Sequence, residues 1–284
     1  MSLHIITDST CDLPADELAR LGIRKVPLTV NFQGQDWLDW EEITPGDIIR
    51  GVEGGADLPT TSQPSPEAFA AAYREAVGAG ATEILVVTLS SHLSGTFQSA
   101  SLAAADAGVP VEVFDSQAAS IGIAHLLWRA AELRDAGHGL EELLPSLESI
   151  RRTLVPFFSV AGLDFLQKGG RLGRAAAVIG NLLNLKPILS VHEGKITAEG
   201  RARGMKRAIA ELVSLAEAHI AEQPGRPYID FLHVQDPAAA DQVKEAVNAA
   251  GIDYEGGGIY EIGAVIASHT GPGTCGLYLH IREG

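Results

Sequence analysis

The feature that most constrains this chain is the rhythm of its first half, where short β-branched runs alternate with helical patterns. Leu3–Ile6 reads as a strand ending at Thr7-Asp8-Ser9-Thr10, with Asp12 or Ser9 placed to cap a helix running through Leu21. Lys25–Phe32 is predicted as a second strand, Pro66–Val77 as an amphipathic helix, Ile84–Leu89 as a buried strand and Thr96–Ala107 as a helix behind Ser94-Gly95. Val111–Phe114 follows as a strand, then Asp115-Ser116, a long helix to about Ala136 and a further helix over Leu140–Arg152. Such alternation predicts a parallel sheet covered on both faces, with ligand-binding groups at the C-terminal strand ends.

From Thr153 onward the rhythm changes. Phe157–Leu163 reads as extended, and Leu185–Ala198 as a hairpin turning at Glu193-Gly194. Gly204–Glu222 is predicted helical, Tyr228–Val234 extended and Asp236–Ala250 helical, with Gly257–Glu261 and Leu277–Ile281 as closing strands. Strands joined by a hairpin in place of a crossover argue for a partly antiparallel sheet. The expected fold class is therefore α/β in two domains: an N-terminal parallel-sheet unit, 1–157, and a C-terminal α+β unit with a mixed sheet, 158–284, the boundary lying near Leu154–Gly162.

A chain of 284 residues, 46% hydrophobic, can fill two cores. Its formal net charge of -15 repels nucleic acid and anionic membrane surfaces, so an anionic ligand must be captured locally. Cys11 and Cys275 are the only cysteines and form no CxxC pair, which reads as reduced and cytosolic. No basic start followed by an apolar run appears at the N-terminus, and no apolar stretch approaches the ~18 residues of a membrane helix. The expectation is a soluble cytoplasmic protein with no stable membrane insertion and no nucleic-acid partner.

Three polar turns carry donors beside the ends of regular elements: Pro59-Thr60-Thr61-Ser62-Gln63-Pro64-Ser65-Pro66, Leu89-Ser90-Ser91-His92-Leu93-Ser94-Gly95-Thr96 and Ala267-Ser268-His269-Thr270-Gly271-Pro272-Gly273. Together with Ile6-Thr7-Asp8-Ser9, Asp115-Ser116, Gly169-Gly170-Arg171-Leu172 and Lys186-Pro187-Ile188-Leu189, they follow in an order that resembles the DegV family through essentially the whole chain. That resemblance implies a bacterial fatty-acid-binding protein, a non-catalytic carrier in phospholipid metabolism. Such a carrier presents its bound acyl chain to a separate ATP-dependent fatty acid kinase, which makes the acyl phosphate. By resemblance Thr61, Ser94 and His269 contact the fatty acid carboxylate, and Arg203 matches the family's arginine before a helix, although Gly204 stands where relatives often carry threonine.

The residues themselves point the same way. A carboxylate in a low-dielectric pocket needs several donors, and hydroxyls supply them without a buried cation. Thr61 and Ser94 each precede a helix, so helix capping is the alternative role for either. His269 is read in a strand-to-turn segment before Gly271-Pro272-Gly273. For the acyl tail, Phe157, Phe158, Leu163, Phe165, Leu166, Ile179, Leu182, Leu183, Leu185, Ile188 and Leu189 are candidates for tunnel wall or ordinary core.

Lys168-Gly169-Gly170-Arg171-Leu172-Gly173-Arg174 lacks the GxxxxGK[ST] pattern of a phosphate loop, so ATP binding by this chain is not expected. Arg171 and Arg203 are read as contacts for an acyl phosphate or for the kinase, against the plainer reading of a solvated basic face. Ser94 lacks the flanking glycines of a nucleophile elbow, and His92 sits only two residues away, so a serine hydrolase acting on acyl esters is the alternative function. Asp8, Asp12 and Asp115 lie at strand ends where Mg²⁺ can bind, but Asp8-Ser9 and Asp115-Ser116 read as loop braces, and no metal or catalytic residue is assigned. Cys11 is read as an inert buried thiol, and the only small-molecule ligand expected is the fatty acid.

Overall fold

A computed structural model describes residues 2–173 and 185–282. In chain order the elements are β1 (Leu3–Asp8), a 3-10 turn (Ser9–Cys11), α1 (Ala15–Arg20), β2 (Ile23–Val26), β3 (Thr29–Phe32), β4 (Gln35–Leu38), α2 (Pro45–Glu53), β5 (Thr60–Ser62), α3 (Pro66–Gly78), β6 (Glu83–Thr88), α4 (Thr96–Ala104) and β7 (Val111–Asp115). There follow α5 (Ile121–Asp135), α6 (Leu140–Thr153), β8 (Val155–Ser159), α7 (Asp164–Lys168), β9 (Lys186–His192), β10 (Lys195–Ala202), α8 (Met205–Ala221), β11 (Arg226–His233), α9 (Pro237–Ala249), β12 (Glu255–Glu261), α10 (Ala264–Thr270) and β13 (Cys275–Arg282).

The described strands form a parallel four-stranded sheet, β2-β1-β6-β7, a mixed six-stranded sheet, β10-β9-β8-β13-β11-β12, and a small antiparallel sheet, β4-β3-β5. In the mixed sheet only β11 and β12 run parallel; the other pairs are antiparallel. The expected α/β architecture, with a parallel sheet first and a mixed sheet second, is the one observed.

Period-2 alternation sorts the side chains of both large sheets into separate cores. Ile6, Ile84 and Val86 pack outward against α3 and α4, whereas Ile5, Leu85 and Val87 point into a central core. Phe157, Ile188 and Phe231 face α8 and α9, whereas Phe158, Leu189 and Leu232 enter that same central core. Helix α5 lies between the layers and buries residues around its whole circumference, including Ile121, Ile123, Leu126 and Leu127, as a helix enclosed by two sheets must.

Several local readings need correction. Lys25–Phe32 is two strands in different sheets, parted at Pro27-Leu28. Pro27 has no N–H to donate to a ladder, so the chain leaves the parallel sheet there. Helix α1 begins at Ala15 without a side-chain cap; Asp8 instead caps the 3-10 turn by accepting from the Thr10 amide. The extended reading of Phe157–Leu163 holds only through Ser159, and α7 begins at Asp164. Helix α2 has no counterpart in the reading above, although Thr44-Pro45-Gly46-Asp47 carries a complete capping box with proline at the first helical position.

Candidate functional site

The central core is not filled. It encloses a cavity of about 420 Å³, and its wall comes from the small antiparallel and the mixed sheets, from the loops that follow β6 and β7, and from α10. That volume lies in the range of small-molecule sites. Most of the wall is apolar: Leu28, Leu89, Phe158, Val191, Leu232 and Val265 among others. Helix α10 lies along the cavity, presenting Val265, Ile266, His269 and Thr270 at helical spacing, with Ile262 just before it.

At the C-terminal end of α10 the wall turns polar. Thr61, Ser94, Arg171 and His269, taken from four distant parts of the sequence, all border the cavity here. Thr61 stands on β5, directly opposite the fully buried Val30 of β3 and on the same inward face. This replaces the turn expected for it. His269 likewise sits on the last turn of α10, not in a strand-to-turn segment, and Gly271 at φ 77 ends the helix behind it.

The Thr61 Oγ1 and His269 Nε2 atoms are 2.8 Å apart. His269 Nδ1 is buried without a partner among the described residues, and it abuts Gly169, where a Cβ would come within 2.2 Å of it. A bare acceptor there is better tolerated than an orphaned N–H, which places the ring proton on Nε2 and makes the imidazole donate to Thr61. Burial, and then the Arg171 guanidinium, push the imidazole from 6.5 down to about 4, so it is neutral near pH 7. Arg171 is pinned by its own hydrogen bonds, Nε donating to Leu93 O at 3.1 Å and Nη1 to Gly169 O at 2.7 Å. Ser94 Oγ lies 2.9 Å from Thr96 Oγ1 and accepts from the Thr96 amide at 3.3 Å. The recorded partner of the serine hydroxyl is thus a threonine, and the imidazole Nε2 is engaged with Thr61.

At the N-terminal end of α10 the polar groups are acids. Asp39 accepts from Ser9 Oγ at 2.7 Å and from the Val265 amide at 3.2 Å. Asp12 accepts from Ser120 Oγ at 2.5 Å and from Trp40 Nε1 at 3.2 Å, and also from the Gly263 amide. Both carboxyls are buried, and burial raises their pKa, Asp39 to about 6 and Asp12 well above its usual value, with the Asp39 charge adding to the rise. Gly263 is required by this packing, since a Cβ there would meet Trp40 Nε1 at 2.3 Å and Asp12 Oδ1 at 2.6 Å. Nothing in the sequence pattern signalled this network.

Among the apolar candidates, Phe158 and Leu166 line the cavity, whereas Phe157 and Ile188 belong to the core under α8 and α9. Ile179, Leu182 and Leu183 lie outside the described residues. Arg203 is exposed in the bend between β10 and α8 and is not part of the cavity wall. Asp8 accepts from Thr10 and from the Leu89 amide, and Asp115 from Ser91 and Gln117, so both tie strand-end loops together. Cys11 is fully buried, which pushes its thiol pKa up. No group of three His, Cys, Asp or Glu among the described residues is arranged to hold a metal ion, and no described helix is long and apolar enough to cross a membrane.

Fold and cavity together define an α/β protein of three sheets that encloses an apolar space with hydroxyl and imidazole groups at one end. The family model described as "Uncharacterised protein, DegV family" matches residues 2–282, and the chain belongs to the DegV family. A DegV domain-containing protein of Deinococcus radiodurans is 40% identical over 281 residues, covering 98% of both chains. The structure of a fatty-acid-binding DegV family protein from Thermus thermophilus is similar with a TM-score of 0.95 at 48% identity, covering 99% of this chain and 100% of that one. A DegV lipid-binding protein from Thermotoga maritima is similar with a TM-score of 0.85 at 32% identity, over 100% and 99% of the two chains.

Proposed function

We propose that this chain binds one long-chain fatty acid between its 1–157 and 158–284 units, with the carboxylate at Thr61, Ser94 and His269, and hands that carboxylate to a separate ATP-dependent fatty acid kinase. The observation that carries the reading is the gathering of Thr61, Ser94 and His269 at one end of an apolar cavity. His269 Nε2 is paired with Thr61 Oγ1 and the Thr96 amide donates to Ser94 Oγ, so the Thr61 and Ser94 hydroxyls can each turn a proton towards an acceptor in the cavity. Two neutral donors beside a pinned guanidinium suit an anionic head group. The apolar wall suits its tail: at about 0.8 kcal/mol per buried CH₂, a long chain supplies ~10 kcal/mol before ordering costs. Similar proteins of the family from Thermus thermophilus and Thermotoga maritima bind fatty acid and lipid respectively. Arg203 is assigned to the kinase-facing surface.

Organic extraction of purified protein followed by mass spectrometry tests the reading, with about one free fatty acid per chain as the expected result. Alanine at Thr61, Ser94 or His269 should each weaken binding of a fluorescent fatty acid by roughly 1–3 kcal/mol while thermal unfolding stays normal. Delipidated protein with no saturable fatty acid binding removes the proposal. Ester hydrolysis abolished by Ser94→Ala replaces it with the hydrolase reading.

A further inference from the structure

The cavity has a second polar pole. Tyr278 is 3% exposed and lines the cavity, and its phenolic oxygen accepts from the Ala119 amide at 3.2 Å. Its own O–H proton reaches no acceptor among the described residues. Ala119 and Ser120 border the same space, and Ser120 is held at φ 56, ψ -145, a backbone conformation an L-residue rarely adopts. The Ser120 hydroxyl donates to Asp12, which leaves it a lone pair able to accept, one residue on from the Ala119 amide that binds the phenol.

This pole is well removed from Thr61 and His269. Asp12 ties Ser120 to Gly263, the residue preceding α10, whereas His269 lies six residues further on, about 9 Å along a helix rising 1.5 Å per residue. The face of α10 between them, Val265 and Ile266, is apolar and lines the cavity. A chain whose carboxylate meets Thr61 therefore passes Tyr278 with its middle carbons. A buried hydroxyl donor left without an acceptor is unfavourable, and a plain hydrocarbon at that position does nothing to relieve it. An oxygen on the chain does. Burial raises the phenol pKa, which keeps the group a donor at all ordinary pH.

Resting on the fatty-acid reading of the head-group end, we propose that this cavity is built to take acyl chains bearing an oxygen near mid-chain, with the Tyr278 hydroxyl donating to that oxygen and Ser120 accepting from it. The ligand class is the mid-chain hydroxy fatty acid.

The test compares oleic acid with ricinoleic acid, which is oleic acid carrying one mid-chain hydroxyl, by displacement of a fluorescent fatty acid from delipidated protein. Wild-type protein should bind ricinoleic acid more tightly by about fivefold, and Tyr278→Phe should bring the ratio of the two affinities close to one. The ratio cancels any general effect of leaving the Ala119 amide without its acceptor. Should Tyr278→Phe fail to fold, the keto analogue of ricinoleic acid, which accepts but does not donate, keeps the question open to measurement: it should retain most of the preference in wild-type protein. A wild-type ratio at or below one, a ratio unmoved by Tyr278→Phe, or a keto analogue that binds no better than oleic acid overturns the proposal. Saturable oleic acid binding with any of these outcomes leaves the head-group reading standing; absent oleic acid binding removes both.

Discussion

The two ends of α10 are held by opposite means. At its start, Asp12 and Asp39 accept from the backbone amides of Gly263 and Val265 and from the side chains of Ser9, Trp40 and Ser120. At its finish, a neutral imidazole donates to Thr61 and no carboxylate is among the residues lining the cavity there. On the proposed function, the difference separates scaffold from binding end. Buried acids consume donors, so they serve where the helix must be fixed. The ligand end withholds acceptors, so its donors stay unspent. In both cases the partners lie far apart in sequence, Asp39 and Val265 by 226 residues and Thr61 and His269 by 208. The same short helix thus joins the first part of the chain to the last.

Breaking the scaffold end should give the largest effect. Asp39→Ala leaves the Ser9 hydroxyl and the Val265 amide without their buried acceptor, and the expected loss is about 3 kcal/mol of folding stability. Urea denaturation with the slope held in common measures it. A loss near zero would mean that α10 is fixed by its apolar packing alone.

The contrast also has a pH signature. His269 sits at about 4 in the folded protein against 6.5 in the unfolded chain, so between those values only the unfolded chain gains the proton, and acidification favours unfolding. Asp8 and Asp39 run the other way: at about 6 against 3.8 they bind protons first in the folded state, so their contribution grows as pH falls through that window. Removing the imidazole isolates its share. From pH 7 to pH 5, wild-type protein should lose more stability than His269→Gln, by at most about 1.4 kcal/mol for each pH unit below the unfolded value. Parallel stability curves for the two proteins would place the imidazole in contact with solvent. Fatty acid affinity, by contrast, should stay flat between pH 6 and 8, because the imidazole is neutral throughout.

What could be read beforehand divides along the same line. Most strands of the two large sheets are legible from short runs rich in β-branched and aromatic residues, and the Glu193-Gly194 hairpin because both residues take positive φ, 48 and 76, as a tight hairpin turn requires. Thr61, Ser94, Arg171 and His269 were chosen from separate stretches, and the fold gathers them at one cavity. The settings of Thr61 and His269 differ from the sequence reading because β5 has three residues and α10 seven, too few for either periodicity to show. Asp39 and Trp40 give no sequence signal, and Asp12 reads only as a helix cap or a strand-end acid. Their role depends on contacts across most of the chain, and Asp12 and Trp40 hold positive φ, 56 and 65, that no local pattern announces. Tyr278 reads as one more apolar strand residue until Ala119 is found beside its oxygen.

A smaller effect should come from sharpening the ligand end without touching its donors. Gly169→Ala adds a Cβ that would meet His269 Nδ1 at 2.2 Å and Phe165 O at 3.0 Å. The imidazole can turn aside more readily than backbone can, so the fold should survive while the Thr61 contact is lost. About a tenfold loss of fatty acid affinity is expected, equivalent to one hydrogen bond near 1.4 kcal/mol. Equal losses of stability and affinity would instead locate the damage in the backbone around α7.

Arg203 should show the least effect on binding and for that reason separates the ligand end from the outer surface. It is exposed in the bend between β10 and α8, outside the cavity wall, whereas Arg171 lines the cavity and lowers the His269 pKa. Removing an exposed cation far from the acyl chain should change fatty acid affinity by less than about twofold. If Arg203 belongs to the surface that meets the kinase, the same Arg203→Ala variant should slow acyl phosphate formation in a reconstituted assay, because a guanidinium can pair with phosphate in a bidentate fork that a shorter side chain cannot form. Affinity and turnover falling together would move Arg203 into the binding site. Turnover unchanged at matched affinity would leave it as an ordinary solvated cation and would assign the docking surface to other residues.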